Sequence, residues 1–96
     1  MIRHIVVAKF KPETPPTEIK EILDGLRKLP EQIPDIIGYE FGLDEVHGER
    51  SYDFALVSTF QDIAAQNRYQ VNPIHLAVAR RLRAASQHLV TVDFQV

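Results

Sequence analysis

Four runs with an apolar residue at every second position, set apart by two stretches with apolar residues at every third or fourth position, constrain this chain more than any other feature. The first run, Ile2 to Lys11, puts Ile2, His4, Val6, Ala8 and Phe10 on one face and Ile5 and Val7 on the other, so both faces are expected to be covered. In Pro12-Glu13-Thr14-Pro15-Pro16, Thr14 can cap a helix whose first turn tolerates the prolines. Ile19, Ile22, Leu23, Leu26 and Leu29 then form one helical stripe, which Pro30 and Pro34 are expected to end. Ile36 to Leu43 alternates Ile37, Tyr39, Phe41 and Leu43 with Gly38, Glu40 and Gly42, and beyond the polar segment Asp44 to Ser51 the run Tyr52 to Phe60 supplies its hairpin partner. Asp62 reads as the cap of a short helix carrying Ile63, Ala64, Tyr69 and Val71. That helix breaks at Asn72-Pro73, where Asn72 caps a second piece lined by Leu76, Ala79, Leu82 and Ala85. Leu89 to Val96 ends the chain as a strand with Val90, Val92, Phe94 and Val96 on one face.

Strand, helix, strand, strand, broken helix, strand is the order of two βαβ halves in an α+β, ferredoxin-like sandwich, with helices on one face of a four-stranded antiparallel sheet. The chain's 96 residues set the limit at one domain, residues 1–96. A domain of this size buries only about 60–65% of the surface its unfolded chain exposes. A second copy laid over the open face of the sheet would complete the core, and Phe10 and Phe54 are the residues expected on that face.

Charge and composition remove several function classes. Eleven Lys and Arg against thirteen Asp and Glu leave a net charge of −2 with no basic stripe, and Arg80, Arg81 and Arg83 read as a solvated helix face, so nucleic acid is not an expected partner. The absence of cysteine excludes a disulfide scaffold, thiolate metal sites and a thiol nucleophile. No apolar stretch approaches the ~20 residues of a membrane span. The N-terminal run carries charge and lacks a small-residue cleavage site, so a strand and a cytoplasmic protein are expected. A metal site would need His4, His75 and a carboxylate to converge, which their spacing does not suggest, and neither metal nor cofactor is expected.

Three segments, Ile2-Arg3-His4-Ile5-Val6-Val7-Ala8-Lys9-Phe10-Lys11, Tyr52-Asp53-Phe54-Ala55-Leu56 and Tyr69-Gln70-Val71-Asn72-Pro73-Ile74-His75, together resemble the stress-responsive A/B barrel, or Dabb, family over essentially the whole chain. The resemblance implies a small homodimer whose two sheets meet as a dimeric α/β barrel. One plant branch of the family consists of polyketide cyclases that close an aromatic ring by intramolecular aldol condensation, using a Tyr-x-x-His-Pro-x-His segment and a first-strand histidine. By that resemblance His75 falls on the catalytic histidine, Tyr69 on its tyrosine and His4 on the first-strand histidine. Asn72 stands where the branch has histidine, a departure that keeps a helix cap and argues against the same substrate.

The residues themselves allow a chemical and a structural role at each position. His75 sits just inside a helix N-terminus, where the dipole favours a neutral imidazole able to act as base, and Tyr69 could then stabilise the enolate. The bland role for His75 is to tie down the helix break. His4 points to an apolar face and needs a partner there, whether it orients a substrate or is a satisfied core residue. His47 and His88 read as surface residues, and Asp53 and Asp93 as buried acids or strand-end caps.

Two functions follow. One is a non-catalytic homodimer enclosing a cavity for a small apolar or aromatic ligand, or serving stress response. The other is a cofactor-independent polyketide cyclase or lyase with His75 as base, Tyr69 as helper and His4 orienting the substrate. A single base without a matched titrating partner favours the first. A further class, the cofactor-free monooxygenases and haem-degrading enzymes that share the dimeric barrel topology, enters by fold alone. The Asn, His and Trp set of the haem degraders is incomplete here, because the chain has no tryptophan.

Overall fold

The computed structural model describes all residues from Met1 to Val96. Along the chain run β1 (Ile2–Phe10), α1 (Pro16–Gln32), β2 (Gly38–Leu43), β3 (Phe54–Phe60), α2 (Ile63–Val71), α3 (Pro73–Ala85) and β4 (Ser86–Gln95). The strands form one four-stranded sheet in the order β2-β3-β1-β4, and every neighbouring pair is antiparallel. This is the α+β, ferredoxin-like sandwich expected from the pattern. No helix is long and apolar enough to cross a membrane.

Alternation along the central strands decides which side chains meet the helices. His4, Val6, Ala8 and Phe10 of β1 and Phe54, Leu56, Ser58 and Phe60 of β3 are all buried on the helical side. They pack against Ile22, Leu26 and Leu29 of α1, Ala65 and Tyr69 of α2, and Leu82 and Ala85 of α3. Gly25 permits close approach of α1 to α3, since a Cβ there would stand 3.0 Å from a methyl of Val78.

Phe10 and Phe54, expected on the open face, therefore lie in the core, 7% and 2% exposed. Alternation defines two faces but does not say which one the helices cover. The open face carries Ile5 and Val7 of β1, Ala55 and Val57 of β3, and Val90, Val92 and Phe94 of β4, each set in register with the next. On β4 the usual pattern is inverted. Val90, Val92 and Phe94 are exposed, whereas Thr91 and Asp93 share the helical side with His4 and Val6.

Three local expectations are corrected. Thr14 does not cap α1: Pro15 holds that position without a side-chain hydrogen bond, while the Thr14 hydroxyl donates to the Ala85 carbonyl at 3.2 Å. Pro30 does not end α1, which continues to Gln32. A proline this near the end removes only one ladder bond, and it is Pro34 that forces the preceding Ile33 into an extended conformation. On α2 the inward residues are Ala65, Gln66 and Tyr69, leaving Ile63 and Val71 52% and 71% exposed, because the short helix is fixed at both ends. Asp62 accepts from the Ala65 amide at 2.9 Å, and Asn72 accepts from the Ile74 amide at 2.9 Å to start α3 at Pro73, both as expected.

Candidate active site

Under the helices, where β1 and β4 meet α2 and α3, a pocket of about 190 Å³ opens beside the core. His4, Tyr69 and His75 all line it, so the fold gathers into one cavity the residues singled out from distant parts of the chain. Val6, Leu26, Leu56, Leu82 and Leu89 supply apolar walls. An apolar cavity of roughly 150 Å³ accepts benzene, so this one is scaled to a single ring or a short chain.

The antiparallel register of β1 and β4 sets His4 directly opposite Asp93. The His4 Nδ1 lies 2.5 Å from Asp93 Oδ1, while the imidazole is buried and the carboxylate half-exposed. A carboxylate can only accept, so Nδ1 carries the proton, and in the neutral ring Nε2 then holds the free lone pair. Gln66, on the inward side of α2, donates its amide to the same Asp93 oxygen at 3.0 Å. Two donors thus converge on one carboxylate oxygen.

Tyr69 is fully buried, and its hydroxyl lies 2.9 Å from that of Tyr39 on β2. Burial pushes the Tyr69 hydroxyl up to about 12, partly offset by the hydrogen bond from Tyr39, and burial raises Tyr39 further still. Both stay protonated at neutral pH. With Tyr39 donating to Tyr69, the Tyr69 hydrogen is free to point at a ligand oxygen.

His75 packs on Tyr69, ring centroids 4.0 Å apart, and its Nδ1 is buried with no hydrogen-bond partner. Burial pushes its imidazole below the usual histidine range, opposed by a ring N–H hydrogen bond to the Gln70 backbone carbonyl and reinforced by repulsion from His4 whenever that ring is protonated. The consequence for stability follows by linkage. Below the ordinary histidine pKa the unfolded chain takes up a proton that the folded His75 resists, so stability falls as pH drops from 7 toward 5. We expect the melting temperature to fall less over that range in His75→Gln. Equal acid sensitivity in the two proteins would contradict this account of the ring.

Asp93's specific partner, the inward position of Gln66 and the contact of Tyr39 with Tyr69 are not legible in the sequence. Asp93 was visible only as an acid in an apolar strand, and the signal that finds its partner is the β1–β4 register, a non-local property. Asp53, weighed alongside it, accepts from the Phe10 amide at 2.8 Å and serves as a strand-end cap. His47 lies in an exposed loop, and His88 stacks on Tyr52 at the surface. No group of three His, Asp or Glu side chains is placed to hold a metal ion.

Comparison with known proteins places this geometry in context. The domain described as "Stress responsive A/B Barrel Domain" matches residues 2–96. A stress-response A/B barrel domain-containing protein of Arabidopsis thaliana is 31% identical, over 98% of this chain and 85% of that protein. A dimeric ferredoxin-like protein of unknown function from Thermobifida fusca superposes with a TM-score of 0.90 at 29% identity, covering 99% of this chain and 90% of that one. A hydroxynitrile lyase from Passiflora edulis superposes with a TM-score of 0.87 over 99% of this chain and 92% of that one, and at 23% identity it speaks for the fold alone.

Proposed function

The chain belongs to the stress-responsive A/B barrel family, and from that premise we propose that it is a homodimeric, cofactor-independent proton-transfer enzyme of lyase or cyclase type, acting on a small apolar carbonyl compound. The observation that carries this reading is the His4–Asp93 pair at 2.5 Å, in the same pocket as the Tyr69 hydroxyl.

The base is His4 rather than His75. A proton on the carbon next to the carbonyl passes to His4 Nε2, and the imidazolium that forms is stabilised by the Asp93 carboxylate through Nδ1–H. The electron pair moves onto the carbonyl oxygen, where the Tyr69 hydroxyl, itself supported by Tyr39, donates to the developing enolate. That enolate carbon then attacks an internal carbonyl to close a ring or expels a leaving group, and His4 returns its proton to the oxygen that gains charge. His75 is less suited to start the reaction because its Nδ1 is sealed and unpartnered. It stays neutral and forms a dry wall against Tyr69.

Homodimerisation covers the open face of the sheet, in keeping with the dimeric structural neighbour. A passive binding role for a small apolar or aromatic ligand is the second reading, favoured by the Tyr69 hydroxyl already having a partner in Tyr39. Incubating the protein in D2O with a panel of single-ring and short-chain ketones separates the two. An enzyme exchanges the α-protons of at least one ketone faster than buffer does, and His4→Ala abolishes the excess. Binding without exchange across the panel would leave the passive role.

A further inference from the structure

We infer that Gln66 is a positioning residue: its amide holds the Asp93 carboxylate, and through it the His4 ring, in the arrangement that leaves Nε2 of His4 free. This deepens the proton-transfer reading and rests on it for its functional meaning, but the arrangement itself is measurable without substrate.

Gln66 is only 6% exposed and is not among the residues lining the pocket, so it acts from behind. Its Nε2 lies 3.0 Å from Asp93 Oδ1 and 3.3 Å from His4 Nδ1. Because His4 Nδ1 carries a proton, the shorter contact is the hydrogen bond, and the longer one records two donors crowding one acceptor. Asp93 needs this second anchor. Its side chain is 39% exposed on an edge strand, where His4 alone would have to hold it against solvent.

The other end of the same side chain points to function rather than stability. Gln66 Oε1 is buried with no hydrogen-bond partner, a cost that an apolar side chain of the same length would not incur. Its inward neighbours on α2, Ala65 and Tyr69, belong to the apolar core. The fold therefore retains an imperfectly satisfied amide where methionine would pack, and the Asp93 contact is what the amide provides.

Gln66→Met separates the two roles, with nitrogen-15 NMR of the histidine side chains and thermal unfolding as readouts. The wild-type protein should show His4 as the Nδ1–H tautomer with a protected Nδ1 proton. In Gln66→Met the melting temperature should hold or rise while that proton signal broadens and both tautomers appear. Gln66→Asn, whose shorter amide cannot span the distance, should reproduce the loss and serves as the test if the methionine variant does not fold. An unchanged His4 spectrum in either folded variant overturns the inference, whatever the melting temperature does. Failure of the proton-transfer reading looks different: wild-type protein with the Nδ1–H signature intact and no exchange of any ketone.

Discussion

Val92→Asp is expected to convert the proposed homodimer to monomers in sedimentation or light-scattering measurements. Val92 is 61% exposed at the middle of an apolar face that includes Ile5, opposite it in register, with Val90 and Phe94 as neighbours on the same strand face. In a two-fold dimer built on this face the substitution buries two unpaired carboxylates. At about 3–5 kcal/mol for each of the two uncompensated charges, dissociation should strengthen by roughly 10⁴- to 10⁷-fold. Val46→Asp is the control, because Val46 is 80% exposed in a loop away from the sheet and its substitution should leave the dimer intact. A Val92→Asp protein that remains dimeric would move the interface elsewhere.

The other large effect concerns the chemistry. Removing a positioned general base costs typically 10²–10⁴-fold, so His4→Ala should lower turnover of a responsive ketone into that range below wild type. Asp93→Asn keeps the shape of the pair but loses the charge that stabilises imidazolium, and it can present an N–H where His4 needs an acceptor. Its loss should approach that of His4→Ala. The double variant should be little worse than either, since residues acting as one unit do not contribute additively. Independent, multiplying losses would mean that Asp93 touches the substrate by itself. Asp93→Asn with full activity would remove the pair from the mechanism.

Much of this arrangement was legible in the sequence, for reasons that also explain the gaps. The order of elements follows from apolar period and from caps such as Asp62 and Asn72, all local signals. His4, Tyr69 and His75 stood out through a family pattern, and the fold brings them to one pocket. What local signals could not supply was orientation and register. Phe10 and Phe54 were as compatible with one face as with the other until the helices were placed. Asp93 acquired a partner only when Ile2↔Gln95 through Ala8↔Leu89 aligned β4 on β1. Gln66 looked like one polar residue in a short helix of mixed composition, and its inward position depends on where the two caps anchor that helix. The inverted alternation of β4, apolar outward and polar toward the helices, now has a physical account. In the proposed dimer its outer residues, Val90, Val92 and Phe94, would meet a partner sheet, and in the proposed site its inner residue Asp93 would serve the chemistry.

The measurement that bears most directly on the proton-transfer site is a crystal structure of the protein with acetophenone, a single-ring ketone of the size the pocket admits. The account predicts the ketone in the pocket, with its oxygen within about 2.6–3.2 Å of the Tyr69 hydroxyl and its methyl carbon facing His4 Nε2. A ketone bound elsewhere, or one in the pocket with its methyl turned away from His4 and its oxygen distant from Tyr69, would contradict it.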